Sequence, residues 1–168
     1  MCIRDRIYSS QSISADTINT FIGGVDNADI ENIEGVWSRQ CISDSPSNMT
    51  FNINALLSQS SEYESDEFSQ ISIRINGETT VLDTLTGDGN GGNPSPSTGL
   101  QQYSVTAPLN EGINTIELVC FNNLKTFSNE TTQCQFSDFS SMPANTSEAS
   151  GLCFPIITKD SEAVTVCL

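Results

Sequence analysis

Met49-Thr50-Phe51-Asn52-Ile53-Asn54-Ala55 alternates apolar and polar residues without a break. A period of two places Met49, Phe51, Ile53 and Ala55 on one face of a strand and the three polar side chains on the other, so one face is dry and the other wet. The same beat recurs at Ile71-Ser72-Ile73-Arg74-Ile75 and at Tyr103-Ser104-Val105-Thr106-Ala107. Asn76-Gly77 follows the second run, and both central positions of a type I′ turn need positive φ, so Glu78 to Asp83 is expected to return as a hairpin partner. Asn110-Glu111-Gly112 marks another turn before Ile113 to Phe121. There Ile116, Leu118 and Cys120 share one face while Val119 joins the other, which predicts a strand covered on both sides. Gly35 to Gln40 around Trp37 and Gln133 to Phe139 read as further strands. Leu152 to Thr158 and Ala163 to Cys167 read as a last hairpin turning at Lys159-Asp160-Ser161-Glu162. No stretch carries a helical apolar stripe with caps. The expected fold class is all-β, an antiparallel β-sandwich of the jelly-roll or Ig-like kind.

The 168-residue chain begins Met1-Cys2-Ile3-Arg4-Asp5-Arg6, which resembles a translated sequencing adapter and is set aside from fold reasoning. The remainder suits one ordinary domain. Residues 7–34 read as an N-terminal segment with a possible first strand, 35–139 as the sandwich, 140–151 as a polar linker, and 152–168 as an appended hairpin or the start of a next module. Thr86 to Gly99 is a loop by its Gly, Asn, Pro and Ser content.

Six Lys and Arg stand against 21 Asp and Glu, a net charge of −15 with no histidine. Such a chain is a poor partner for nucleic acid. No run of 18 apolar residues exists to span a membrane. Charged residues nevertheless make up only 16% of the chain, and Ser, Thr, Asn and Gln carry most of its polar surface.

Outside the adapter lie Cys41, Cys120, Cys134, Cys153 and Cys167, with no CxxC spacing and no histidine to complete a common zinc site. A disulfide framework fits better. Cys120 with Cys134, and Cys153 with Cys167, each flank a polar turn as hairpin neighbours would, although other connectivities remain open. Disulfides persist in oxidising compartments, so the expected location is secreted or cell-surface. Cys41 is then the odd thiol, available for an intermolecular bridge. Sequons occur at Asn48, Asn129 and Asn145, no more than the abundance of Asn, Ser and Thr would yield by chance.

Without histidine, Ser-His-Asp and Cys-His catalysis is impossible. Paired carboxylates remain, since Glu62, Glu64, Asp66 and Glu67 cluster ahead of a strand, but a short acidic loop is ordinarily solvated surface. Calcium is the one metal these oxygens suit. Asp88 and Asn90 begin a loop like an EF-hand, though the twelfth position is Gly99 rather than glutamate; Glu64 and Asp66, with Glu130 or Asp138, form an alternative cage. Sugar binding would call for exposed rings, for which Tyr63 and Trp37 are the candidates.

The order of these features, an early tryptophan strand, Glu64-x-Asp66-x-Phe68, Asn76-Gly77, then Asn122-Asn123 ahead of Glu130 and Asp138, resembles jelly-roll modules repeated in secreted adhesins and carbohydrate-binding proteins. The resemblance spans Trp37 to Phe139. It implies a binding or spacer role, often with structural calcium. The expected function is therefore a non-catalytic extracellular module with an adhesive or structural role, self-assembling through edge strands or Cys41 or pairing with other extracellular modules. The alternative is a carbohydrate-binding module detached from a larger secreted hydrolase, with polysaccharide as partner.

Overall fold

The structure, a computed structural model, describes residues 9–14, 16–60, 62–89, 95–143 and 163–167. Ten strands form two five-stranded sheets. Sheet A holds β1 (Ser9–Ser14), β2 (Thr17–Gly23), β9 (Thr131–Pro143), β4 (Ser47–Gln59) and β7 (Gln101–Leu109), in that spatial order. Sheet B holds β10 (Ala163–Cys167), β3 (Ile30–Ser43), β8 (Gly112–Lys125), β5 (Phe68–Ile75) and β6 (Glu78–Thr86). No helix occurs among the described residues.

The pairings β5–β6, β4–β7, β3–β8 and β2–β9 nest inside one another, all antiparallel. One long hairpin folded over so that successive pairs fall in opposite sheets produces this order, which makes the sandwich a jelly roll rather than an Ig-like domain. The alternation read from residues 49–55 extends along the whole of β4, with Met49, Phe51, Ile53, Ala55 and Leu57 all inward and at most 1% exposed. Across the interior they meet Ile71, Ile73, Ile116, Leu118 and Trp37 of sheet B. β8 lies between β3 and β5 and buries Val119 on its opposite face, while Ile113 at its start is 64% exposed. The two-sided cover expected of this strand is therefore confined, among its apolar residues, to Val119, since Thr115, Glu117, Phe121 and Asn123 on the same face are only half-buried.

Several expectations change in three dimensions. β1 and β2 are full members of sheet A, and β10 pairs with β3. The sandwich thus draws strands from both sides of residues 35–139, and Ala163–Cys167 lies against the Trp37 strand rather than standing as an appended unit. Its expected hairpin partner, 152–158, lies outside the described residues, as does most of the expected linker. β9 runs on to Pro143. Within it Asp138 adopts φ 50°, and the register against β4 shifts between Asn52 and Asn54. This bulge turns both Phe136 and Phe139 toward the core, which regular alternation over three residues forbids; Phe139 packs against Phe51 with ring centroids 5.9 Å apart.

Asn76 and Gly77, at φ 52° and 90°, make the expected tight hairpin. The turn is fastened to the next one: the Asn76 amide donates to Asn114 Oδ1 at 2.8 Å, and Asn114 donates to the carbonyls of Asn110 and Gly112. Buried Asn114 holds this end of the sandwich closed.

Cys120 and Cys134 are joined, with Cα atoms 5.7 Å apart. They are not hairpin neighbours. β8 lies in sheet B and β9 in sheet A, so the bond ties the two layers through the core, where both cysteines are fully buried. Cys41 is itself disulfide-bonded, which removes it as a free thiol for intermolecular bridging. The Cys153 and Cys167 side chains lie outside the described ones. Replacing Cys120 and Cys134 together by Ala, in a chain whose other cysteines stay oxidised, is expected to cost about 3 kcal/mol from the reopened loop. Urea unfolding of the two proteins measures it.

Candidate functional site

The loops β2–β3, β4–β5, β6–β7 and β8–β9 all emerge at one end of the sandwich, because successive strands reverse direction along the fold and alternate connections therefore fall at the same end. The interior at this end turns polar. Tyr63 and Ser69 both meet the Thr132 hydroxyl, at 3.1 and 2.6 Å, and Asn122 donates to Ser69 Oγ at 3.3 Å. All four side chains are buried. Above this layer sit Glu64, Glu67 and Glu130, each offering a carboxylate oxygen within 4.8 Å of the others. Glu67 and Glu130 are both 0% exposed.

Local structure explains the convergence. The β4–β5 loop closes on itself: the Glu64 N–H donates to Glu67 Oε2 at 2.8 Å and the Glu67 N–H to the Glu64 carbonyl at 3.0 Å. The β8–β9 loop does likewise around Glu130, whose Oε2 accepts the N–H groups of Thr126 and Phe127. The Thr126 hydroxyl lies between the two acids, 3.1 Å from Glu130 and 3.4 Å from Glu67. Gly87 lets the β6–β7 loop cross behind them, since a Cβ there would stand 2.3 Å from the Tyr63 and Glu64 carbonyl oxygens. Lys125 is buried below and spends its ammonium on the carbonyls of Asp26 and Ala28, tying in the β2–β3 loop.

Two buried carboxylates cannot both ionise cheaply without a counter-charge. Burial, with the charges of Glu130 and Glu64 adding to it, pushes Glu67 from 4.5 up to about 7, against the pull of the Glu64 N–H. Burial also lowers Lys125, while Glu130, Asp29 and Glu67 oppose it, and raises the Tyr63 phenol. An all-oxygen set of three carboxylates and one hydroxyl suits a hard divalent cation such as calcium, and the strain on Glu67 is the kind such an ion relieves.

Of the six metal ligands expected from sequence, Glu64 and Glu130 are brought together. Asp66 is exposed and contributes only its backbone carbonyl, which accepts from Asn123. Asp138 sits on the outer face of sheet A, bonded to Asn54 at 2.7 Å, because the bulge that turns Phe139 inward turns Asp138 out. Asp88 is exposed on the β6–β7 loop and is not part of the carboxylate group; Asn90 lies outside the described residues. Glu67 takes the open place. Its signal in the sequence was the three-residue spacing from Glu64, which closes one turn of loop and points both acids inward.

The expected sugar-stacking rings are both corrected. Tyr63 is 0% and Trp37 7% exposed, so neither presents a face to a ligand. Tyr103 is half-buried, and its hydroxyl donates to Asp83 at 2.8 Å, which with burial pushes it up to about 12. Asn48 and Asn129 are exposed, and Asn145 lies outside the described residues.

The outer face of sheet A is the second notable surface. Its five strands contain one charged residue, Asp138. The strands of sheet B contain Glu31, Glu34, Arg39, Arg74, Glu78, Asp83, Glu117 and Lys125. On the face of sheet A, amides and hydroxyls pair across strands: Thr50 with Thr106 at 2.8 Å, and Ser104 to Asn52 at 2.5 Å.

Glu67 is protonated in the folded state up to about pH 7 but ionises near 4.5 when unfolded. Its contribution to stability is therefore full below pH 4.5 and is lost as the pH rises toward 7 and beyond. In chelator, the Glu67→Gln variant is expected to lose less stability than the parent between pH 5 and pH 8. Thermal midpoints at the two pH values decide it, and equal losses would remove Glu67 from the balance.

No protein-family model matches the chain, and the search of curated proteins gave no match. Among the solved structures similar to it are two carbohydrate-binding modules. One is a family 35 carbohydrate-binding module from an environmental isolate, at 19% identity over 74% of this chain and 77% of that one, with a TM-score of 0.32. The other is a family 35 module from Cellvibrio japonicus Abf62, at 16% identity over the same shares, with a TM-score of 0.26. Both likenesses are too distant to transfer a ligand or a site residue to this chain.

Proposed function

We propose that this chain is a non-catalytic, extracellular binding module for uncharged polysaccharide, with calcium fastening its loop end. The observation that carries the binding role is the partition of charge between the sheets. In a chain of net charge −15, a sheet whose strands hold a single ionised side chain offers amides and hydroxyls, which match the donors and acceptors of sugar hydroxyls. A neutral glycan meets one carboxylate there, Asp138, already hydrogen-bonded to Asn54, whereas a polyanion is repelled by the protein as a whole. The acids at the loop end support a structural rather than a hydrolytic role: Glu67 and Glu130 are fully buried, and a glycosidic bond would have to reach between them. Glu64, Glu67, Glu130 and the Thr126 hydroxyl would hold the ion, whose chemistry is to neutralise the carboxylates.

The adhesive reading finds its support at an edge. Among the described residues β6 pairs only with β5, and Val81 near its middle is 46% exposed, an edge of the kind that strand addition uses. Glu78 and Asp83 flank Val81 along this strand, and their charge opposes pairing between identical copies.

Affinity electrophoresis in gels containing neutral β-glucan, xylan or mannan, against gels containing polygalacturonate or alginate, tests the binding role. Retardation is expected only in one or more neutral gels and is expected to be insensitive to salt. Asn52→Ala with Ser104→Ala should weaken it about tenfold, since two good hydrogen-bonding groups are removed. Retention by polyanions alone would sink the reading.

Calcium is tested separately. At a hundredfold excess over its dissociation constant it should add about 2.7 kcal/mol of stability, a gain that chelator reverses and Glu67→Gln largely abolishes. No shift in the melting curve returns the three acids to a purely internal hydrogen-bonding role.

A further inference from the structure

A cleft of about 140 Å³ opens on the outer face of sheet A at its loop end, lined by Phe21, Ser58, Ser60, Ser95, Thr131 and Gln133. Phe21 lies opposite Gln133, Gln133 opposite Ser58, and Ser58 bridges to Ser97, so one row of residues crosses the face in register. Phe21 is 41% exposed. Its ring is braced from behind: a Cβ built on Gly24 would lie 3.4 Å from the ring edge and 3.0 Å from the Thr131 methyl. Ser60 Oγ already accepts the Thr131 N–H at 3.0 Å. The side chains of Ser58, Thr131 and Gln133 have no hydrogen-bond partner among the described residues. No charged residue lines the cleft.

We infer that this cleft is the aromatic subsite of the module, where the apolar face of one uncharged pyranose ring stacks on Phe21 while its hydroxyls meet the Gln133 amide and the Ser58 and Thr131 hydroxyls. The inference rests on the polysaccharide-binding reading and adds where the chain is gripped. A fixed ring with polar groups beside it supplies what a flat polar sheet lacks, because water competes well for isolated hydroxyl contacts and poorly for a stacked ring. From this row to Asn52 along β4 is six residues, about 20 Å of strand, so a glycan stacked on Phe21 extends along the strand toward the Asn52–Ser104 pair. The neutrality of the cleft selects the neutral occupant over an acidic sugar.

The test uses the full chain in calcium, with the neutral polysaccharide that retards it most, and compares Phe21→Ala, Phe21→Tyr and Gln133→Ala. Phe21 is exposed, so none of these should change the melting midpoint by more than a degree or two. Phe21→Ala is expected to weaken retention roughly five- to tenfold, Phe21→Tyr to keep it, and Gln133→Ala to weaken it to a smaller extent. Parent-like binding by Phe21→Ala would overturn the subsite and leave the polysaccharide reading standing. Failure of the parent to bind any neutral polysaccharide would overturn both. A parent that sediments as a dimer, with Phe21→Ala monomeric and glycan binding unaltered, would assign the ring to a second copy of this chain and also overturn the subsite.

Discussion

The structure depends on the burial of two inward faces against each other, with β9 in sheet A and β8 in sheet B as the central strands. Neither inward face is stable alone, because each is an apolar surface that water would otherwise cover, and the jelly-roll order is what brings residues distant in sequence into one interior. Phe51 and Phe139, or Trp37 and Leu118, belong to different hairpins or different connections, yet share the same core. The Cys120–Cys134 bond crosses this interior and ties β8 of sheet B to β9 of sheet A. Its position follows from the nesting: β8 and β9 succeed one another in the chain but lie in opposite layers.

Where the strands end, apolar residues give out, and the interior must be closed by groups that satisfy one another. The two ends solve this differently. At the Asn76–Asn114 end, amides pair with amides and with turn carbonyls, and no charge is involved. At the other end, four crossing loops leave a wider gap, and it is filled by Tyr63, Thr132, Ser69 and Asn122 beneath three glutamates. Hydrogen bonds from Thr126, Phe127 and Glu64 satisfy the carboxylates locally, but the charge itself is compensated only in part by Lys125. That residual charge is what gives the loop end its chemistry, since a group held near neutrality by burial responds to both protons and cations.

Charge is also sorted laterally. On sheet B, Arg74 bridges Glu34 and Glu117 at 2.7 and 3.3 Å, a compact cluster on the outward side. Sheet A carries amide and hydroxyl ladders instead. The protein therefore presents an acidic character through its loops and one sheet, and a neutral, hydrogen-bonding face through the other. The proposed glycan surface and the proposed cation site sit next to each other at the loop end, but they use different side chains and different physics: stacking and neutral hydrogen bonds in one, charge neutralisation in the other.

The sequence by itself determined the strands, because period-two alternation at 49–55, 71–75 and 103–107 and the Asn76-Gly77 turn are local properties that no neighbour is needed to express. It also determined that charge would be concentrated in acids and that Glu64 and Glu130 were candidates for one site. It could not show that Glu67 completes that site or that Asp138 leaves it, because the first depends on how a loop closes over a buried layer and the second on a bulge that reverses which side of β9 faces the core. Tyr63 and Trp37 read as available rings only while their burial was unknown, and Phe21, unremarkable in its local pattern, became an exposed ring on the outer face of sheet A once β2 was placed beside β9. Only tertiary structure decided which strands share a sheet, and with it the neutrality of one face. Pairing partners in a jelly roll are set by the global packing of two faces rather than by any local signal, so the sorting of charge between sheets is visible only after the chain has folded.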